Sequence, residues 1–215
     1  MQLEFLHPNL DRLQYIHGNA LLKSIYGTGC IKNPKVMFVF MNPTARNISA
    51  NINWKGLRAP WLGTKNVWNI FYKLGLLSAV SFKKTQEIKP EQWTEKFSRA
   101  IYSELKNKKV FVTNLAKCTQ INARPLNDKV FKDYLNLMLK EIEIIHPQNI
   151  VSFGNQVSSV LLSKAISVSD YSGVKNEILK INNLVFNIYP TYYPVGQGSR
   201  NMPNAIKRIK NVLKS

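Results

Sequence analysis

The stretch from Val36 to Leu77, VMFVFMNPTARNISANINWKGLRAPWLGTKNVWNIFYKLGLL, constrains the fold more than any other. It opens on VMFVFM, a short continuous apolar run rich in β-branched and aromatic residues. Such a run reads as a strand buried on both faces of a parallel sheet. Pro43 has no N–H to give a ladder, so the strand stops at Asn42-Pro43. A long loop follows. Gly63-Thr64-Lys65-Asn66 then opens an apolar-periodic helix, Thr64–Leu76, with Thr64 as its N-cap. Ligands of open α/β sheets sit beyond the carboxyl ends of the strands, so Asn42, the loop and Asn66 are expected to face one crevice.

The loop is long for a compact domain, and long loops are usually functional or disordered. Trp54 and Trp61 argue against disorder. The loop also has no carboxylate: no Asp or Glu occurs between Asp11 and Glu87, while Arg46, Lys55, Arg58 and Lys65 fall in it or at its exit. A basic, Asn-rich, aromatic crevice suits a phosphate-bearing ligand with a planar hydrogen-bonding group. On spacing alone the same stretch is equally a Trp-stapled surface loop with solvated cations.

The formal net charge is +18, spread along all 215 residues rather than gathered in a tail. The folded surface must therefore be basic, which points first to nucleic acid and second to an anionic membrane. Two cysteines, Cys30 and Cys118, cannot build a zinc or iron–sulfur site on their own. The three histidines, His7, His17 and His146, are scattered. His146 precedes Pro147 at a helix end, where it faces the helix dipole. No metal and no cofactor is expected. The low cysteine count fits a reducing compartment. MQLEFLHPNLDRLQ has neither a basic n-region nor an apolar h-region, and no apolar run is long enough to span a bilayer. A soluble, cytoplasmic protein without membrane contact is expected.

In chain order, Asn9 to Tyr26 reads as a first helix, capped by Asn9 and ended by Gly27-Thr28-Gly29. After Thr64–Leu76 a polar connection leads to Pro90, which starts a helix running to about Lys106. Val110 to Thr113 is a second buried strand with Asn114 at its carboxyl end. Asn127-Asp128 caps a helix to about Ile145. NIVSFG is a third strand, ending in Gly154 before a helix to about Ala165. Glu177–Asn187 forms a hairpin around Asn182-Asn183, whose second arm, LVFNIYP, is the fourth core strand. Thr191 to Asn201 is a glycine-bearing loop, and Met202 to Lys214 a basic closing helix. Strands alternating with helices imply an α/β fold: three α/β/α layers around a four-stranded, mainly parallel sheet. The strand ends at Asn42-Pro43, Asn114 and Pro190-Thr191 should converge on one edge.

A strand ending in MNP, a long loop closing with G-x-x-N-x-W, a second strand ending in TN-x-x-KC and a last strand running into PT-Y-x-P together resemble the uracil-DNA glycosylase superfamily. The resemblance runs from Val36 to the C-terminal helix and implies one domain over residues 1–215. Met41-Asn42-Pro43 looks like the first motif of the mismatch-specific and single-strand-selective branches. Gly63 to Trp68 resembles the helix start of the mismatch-specific branch. Thr113 to Cys118 is closer to the iron–sulfur branch, but that branch needs four cluster cysteines and this chain has two. Pro190 to Val195 aligns with a PTYHPS-like motif in which Tyr193 replaces the usual His and Val195 the Ser.

The resemblance implies hydrolytic removal of uracil or a related deaminated base from DNA, double- or single-stranded, by a monomer. Asn114 is the candidate base contact, since an amide can match N3–H and O4 of uracil together. Phe40, Trp54, Trp61 or Tyr72 could supply the stacking ring. Asn42 has no basicity and can only orient water; Asn66 shares that role or merely caps its helix. Tyr193 would donate to the leaving base in place of the His. Gly196, Ser199 and Arg200 lie in a loop resembling the one that wedges into the duplex. Thr44, Arg46, Lys117, Ser199 and the Lys207, Arg208 and Lys210 face of the last helix are candidate phosphate contacts. The alternative is a catalytically weak or inactive DNA-binding member of the same fold. An enzyme acting on a small phosphorylated ligand ranks below both, because no Gly-rich phosphate loop of the usual spacing is present.

Overall fold

Six strands form one sheet among the residues that a computed structural model describes, which are 2–123, 126–193 and 200–214. They are β1 (Thr28–Gly29), β2 (Val36–Phe40), β3 (Val110–Asn114), β4 (Asn149–Phe153), β5 (Glu177–Ile181) and β6 (Leu184–Thr191), in the spatial order β1-β3-β2-β4-β6-β5. The four inner strands are parallel and carry the expected apolar runs; β2 and β3 are buried along their whole length. The sheet is wider than the expected four strands because each edge gains an antiparallel strand. β5 is the first arm of the Asn182-Asn183 hairpin. β1 is only two residues long, and such a pair carries no period to read.

The helices are α1 (His7–His17), α2 (Asn66–Lys73), α3 (Ala79–Glu87), α4 (Glu95–Asn107), α5 (Asp128–Ile145), α6 (Asn155–Leu162) and α7 (Met202–Lys214). Side chains alternate along each strand, and the alternation divides the core in two. Met37, Val39, Phe111, Ile150 and Ile188 face a layer built by α1, α5 and α6. Val36, Phe38, Phe40, Val110, Val112, Val151, Phe153 and Tyr189 face α2, α4 and α7. On that second side α2 buries Val67, Trp68, Ile70 and Phe71. Each large apolar side chain taken fully out of water contributes about 1.5–3 kcal/mol. Among the described residues no helix is long and apolar enough to cross a membrane.

Several helix boundaries differ from the sequence reading. The first helix ends at His17, not Tyr26, because Gly18 turns extended there (ψ 178°), crowded by the Gln14 side chain. Leu21 is consequently exposed, and Leu22 bridges Asn51. Thr64 does not cap α2: its Oγ1 donates to the Trp61 carbonyl (2.7 Å). The polar connection before Pro90 contains α3, capped by Ser78; it buries only Thr85, so no apolar period marks it in the sequence. Pro90–Gln92 is a separate 3-10 turn, and α4 starts at Glu95 with Thr94 accepting from the Phe97 N–H (3.2 Å).

Candidate active site

The site is built on the carboxyl ends of the four parallel strands. Phe40 of β2 is the register partner of Asn114 in β3, and Phe153 of β4 that of Thr191 in β6. The β2–β4 register brings Phe40 beside Phe153, and their rings stack with centroids 4.3 Å apart. Side chains side by side on neighbouring strands share a face. Asn114, Phe40, Phe153 and Thr191 therefore form one row across the rim, on the side covered by α2, α4 and α7. The polar residues stand at its ends and the aromatic rings between them.

Two further rings close on the row. Trp61 meets Phe40 edge-on at 4.9 Å, and Tyr193 meets it edge-on at 6.3 Å. Trp61 sits in the left-handed region (φ 66°), where a bulky side chain is strained. Its carbonyl accepts from the Thr64 N–H (3.1 Å), the Thr64 hydroxyl (2.7 Å) and the Trp68 indole (3.2 Å), which together hold that conformation. Tyr193 follows β6 directly, and Gly154 reaches across to β6 through its N–H on the Thr191 carbonyl (2.8 Å). Gly154 itself has φ 88°, a conformation that favours glycine. Burial pushes the Tyr193 phenol well above its ordinary range, so it stays protonated and able to donate.

Backbone pairing continues past the strand ends. Leu115 donates to the Phe40 carbonyl (2.7 Å), Ala116 to that of Met41 (3.0 Å) and Gln120 to that of Pro43 (3.1 Å). These bonds fix Asn42 beside the turn that follows Asn114. The half-buried Asn42 gives its amide N–H to the Pro43 carbonyl (3.1 Å), and its amide oxygen has no partner among the described residues. Asn114 is 2% exposed, yet its side-chain amide also has no partner among the described residues. The indole Nε1 of Trp61 and the hydroxyl of Thr191 are buried and unpartnered as well. Buried polar groups are nearly always hydrogen-bonded; apart from the Tyr134 hydroxyl on α5, the unpartnered ones among the described residues stand at this rim, which marks where a ligand's polar edge belongs.

A model of the uracil DNA glycosylase superfamily matches residues 26–214. The chain belongs to that superfamily. No curated protein matches it by sequence. In this superfamily member the long loop between β2 and α2 is ordered largely by its own polar side chains. Asn47 donates to the Ala59 carbonyl (2.8 Å) and accepts from the Ser49 N–H (3.1 Å). Trp54 donates to the Leu57 carbonyl (3.0 Å), and the Tyr102 hydroxyl reaches the Pro60 carbonyl (2.6 Å). Arg58 donates to the Ser24 carbonyl (2.9 Å), pairs with Asp11 (2.6 Å) and lies 4.1 Å over the Tyr26 ring. Arg58 is thus a staple of the loop rather than a free cation.

The uracil-DNA glycosylase motifs place their candidates unevenly. Asn42, Asn114, Phe40, Trp61 and Tyr193 gather at the rim. Phe40 is 1% exposed with one face on Phe153, so it is the floor of the rim rather than an open platform. Tyr72 stacks on Phe82 instead, at 4.3 Å. Asn66 is the exposed first residue of α2, and no hydrogen bond ties it to Asn42 or Asn114. Thr44 is half-buried beside Gln120; Arg46, Arg200 and Lys207 are exposed. Lys207 lines a groove of about 430 Å³ with Lys73, Met202, Pro203, Ile206 and Lys210, a place apart from the rim.

Two expected phosphate contacts are corrected by their burial. Lys117 is 2% exposed and its ammonium is spent on Glu141 (2.6 Å), Thr113 Oγ1 (2.7 Å) and the Asn114 carbonyl (2.5 Å). Arg208 is 5% exposed and holds the Pro190 (2.8 Å), Gly173 (3.0 Å) and Lys175 carbonyls. Neither can meet a phosphate without dismantling these bonds. Gly196 and Ser199, and Arg124 of the loop after β3, lie outside the described residues. Phe153 and Thr191 went unassigned in the sequence. The PT of PTYYP was visible, but the orphaned hydroxyl becomes evident only once β6 is in register.

Proposed function

We propose that this superfamily member is a monofunctional DNA glycosylase that extrudes uracil or a related deaminated base and removes it by hydrolysis. The observation that carries the reading is the buried amide of Asn114, without a partner among the described residues, beside stacked aromatic rings at the sheet rim. Extruding a base costs a few kcal/mol, which a slot must return by stacking and edge hydrogen bonds. An amide supplies a donor and an acceptor side by side, the complement of an imide edge. Breaking the glycosidic bond leaves an oxocarbenium-like sugar and an anionic base. Asn42 orients the attacking water through its free amide oxygen; it cannot take a proton. Chemistry without a carboxylate is slow and favours good leaving groups. Tyr193, kept protonated by burial, donates to the departing base. Exposed lysines and arginines, Arg46, Arg200 and Lys207 among them, bind the phosphate backbone.

The test is base release from oligonucleotides carrying uracil opposite G, opposite A or single-stranded, and hypoxanthine or xanthine, followed by alkaline cleavage at abasic sites. Asn42→Ala and Asn114→Ala should both lose turnover while nonspecific DNA affinity holds. No product from any substrate would refute the reading. Tyr193, standing where the superfamily motif has His, favours one alternative: a DNA-binding member without activity. Salt-sensitive binding with no base release would establish that alternative.

A further inference from the structure

Thr191 ends β6 and is fully buried, yet its hydroxyl has no partner among the described residues. A hydroxyl buried without a hydrogen bond is costly, and nothing in strand packing requires one there; valine has the same shape. Its place is specific. Thr191 is the register partner of Phe153, whose ring stacks on Phe40, whose own register partner is Asn114. Asn114 and Thr191 thus stand at opposite ends of one row, three strand spacings or roughly 14 Å apart at the backbone. One heterocycle with a hydrogen bond of about 2.9 Å on either side covers most of such a span, and the reach of the two side chains covers the rest. A second orphan, the indole Nε1 of Trp61, belongs to the ring packed edge-on against Phe40 in the middle of that row. An indole can only donate, so what it awaits is an acceptor such as a ring carbonyl.

We infer that Thr191 is a second base-contacting residue, set across the sheet rim from Asn114, in a slot for an oxo-bearing heterocycle. The inference rests on the glycosylase reading and adds a residue to it. Thr191 and Asn114 grip the two edges of the extruded ring, with Phe40 and Phe153 beneath. The hydroxyl lacks a partner among the described residues because its partner arrives with the substrate.

Thr191→Val and Thr191→Ser separate this role from packing. Two readouts are compared with the unaltered chain. The first is the single-turnover rate of base release from a uracil oligonucleotide. The second is the affinity ratio between an oligonucleotide bearing 2′-fluoro-2′-deoxyuridine, which resists hydrolysis, and an undamaged one. Thr191→Val should lower both by about tenfold to a hundredfold, the effect of deleting one well-placed hydrogen bond to the reacting group. Thr191→Ser should stay within about threefold of the unaltered chain. Thr191→Val should melt no earlier than the unaltered chain, because a methyl replaces an unsatisfied buried hydroxyl. Wild-type values in Thr191→Val, or equal losses in Val and Ser, overturn the inference while the glycosylase reading stands. An unaltered chain that neither releases base nor prefers the fluorinated probe overturns both.

Discussion

The last two residues of β3 face opposite sides of the sheet and meet opposite fates. Thr113 points toward α5, where its hydroxyl, the Lys117 ammonium and the Glu141 carboxylate bond one another within 3.3 Å. Asn114 points the other way, into the aromatic row with Trp61 and Thr191, where its amide has no hydrogen-bond partner among the described residues. Both places are dry. Around Thr113 the polar groups satisfy one another, and the result is a closed network that ties the turn after β3 to a helix. On the α2 side they find no partner among the described residues, the state of groups whose partner is a ligand. Burial alone does not separate a structural polar residue from a functional one; open hydrogen bonds gathered at a strand-end rim do, since the lone Tyr134 hydroxyl on α5 is also unpartnered among the described residues.

The largest effect expected from this contrast is on stability. Lys117→Met leaves Glu141 buried and unpaired, and breaking such a pair typically costs about 3–5 kcal/mol. Chemical denaturation should show that loss, and the double variant Lys117→Met/Glu141→Leu should recover most of it, because apolar residues of similar volume replace a buried pair at little cost. A single variant as stable as the parent would show that the network is not closed.

Asn114→Ala should do the reverse. Its amide supports nothing in the free protein, so the melting temperature should move little. The rate of base release should fall by about 10²–10³, the usual cost of one pre-organised contact to the reacting group. If Asn114→Ala unfolds the chain as Lys117→Met does, the two faces are alike and the contrast fails.

Lys117 also shows how far the sequence could be read. The four parallel strands, the layers and the rim were legible because continuous apolar runs and their terminating Asn-Pro or Pro-Thr pairs are local signals. The positions of Asn42, Asn114 and Tyr193 followed from strand ends. What lay beyond reach was decided at long range. Lys117 and Arg208 read as surface cations because each belongs to a basic stretch, but Glu141 lies 24 residues from Lys117, and the carbonyls that hold Arg208 lie 18, 33 and 35 residues away. Likewise the two-residue β1 exists only because β3 offers it an edge. The orphaned hydroxyl of Thr191 depends on a register that no spacing in the chain announces.

The exposed cations give a smaller, graded effect. Lys73, Lys207 and Lys210 border the groove between α2 and α7 and, unlike Lys117, none of them is held in an ion pair among the described residues. If they meet DNA phosphates, each alanine substitution should lower the slope of log affinity against log salt by about one, equally for damaged and undamaged DNA. A slope unchanged in the triple variant would remove that groove from the DNA path.

The smallest expected effect is a flat line. The α2 side of the rim offers amides, a hydroxyl and an indole, none of which titrates near neutrality. Among the described residues, the ionisable group that meets the row is the Tyr193 phenol, and burial raises it above its ordinary value. The working form of that phenol is the neutral donor, so a raised value extends its range upward and takes nothing away at lower pH. Single-turnover base release should therefore be level from about pH 6 to about pH 9, whereas a histidine donor would titrate near its ordinary value of about 6.5. Tyr193→Phe should lower the whole line without bending it, since phenylalanine keeps the edge-on contact with Phe40 and loses only the O–H. A limb centred between pH 6 and pH 8 in the unaltered chain would mean that an ionising group outside the aromatic row carries the proton.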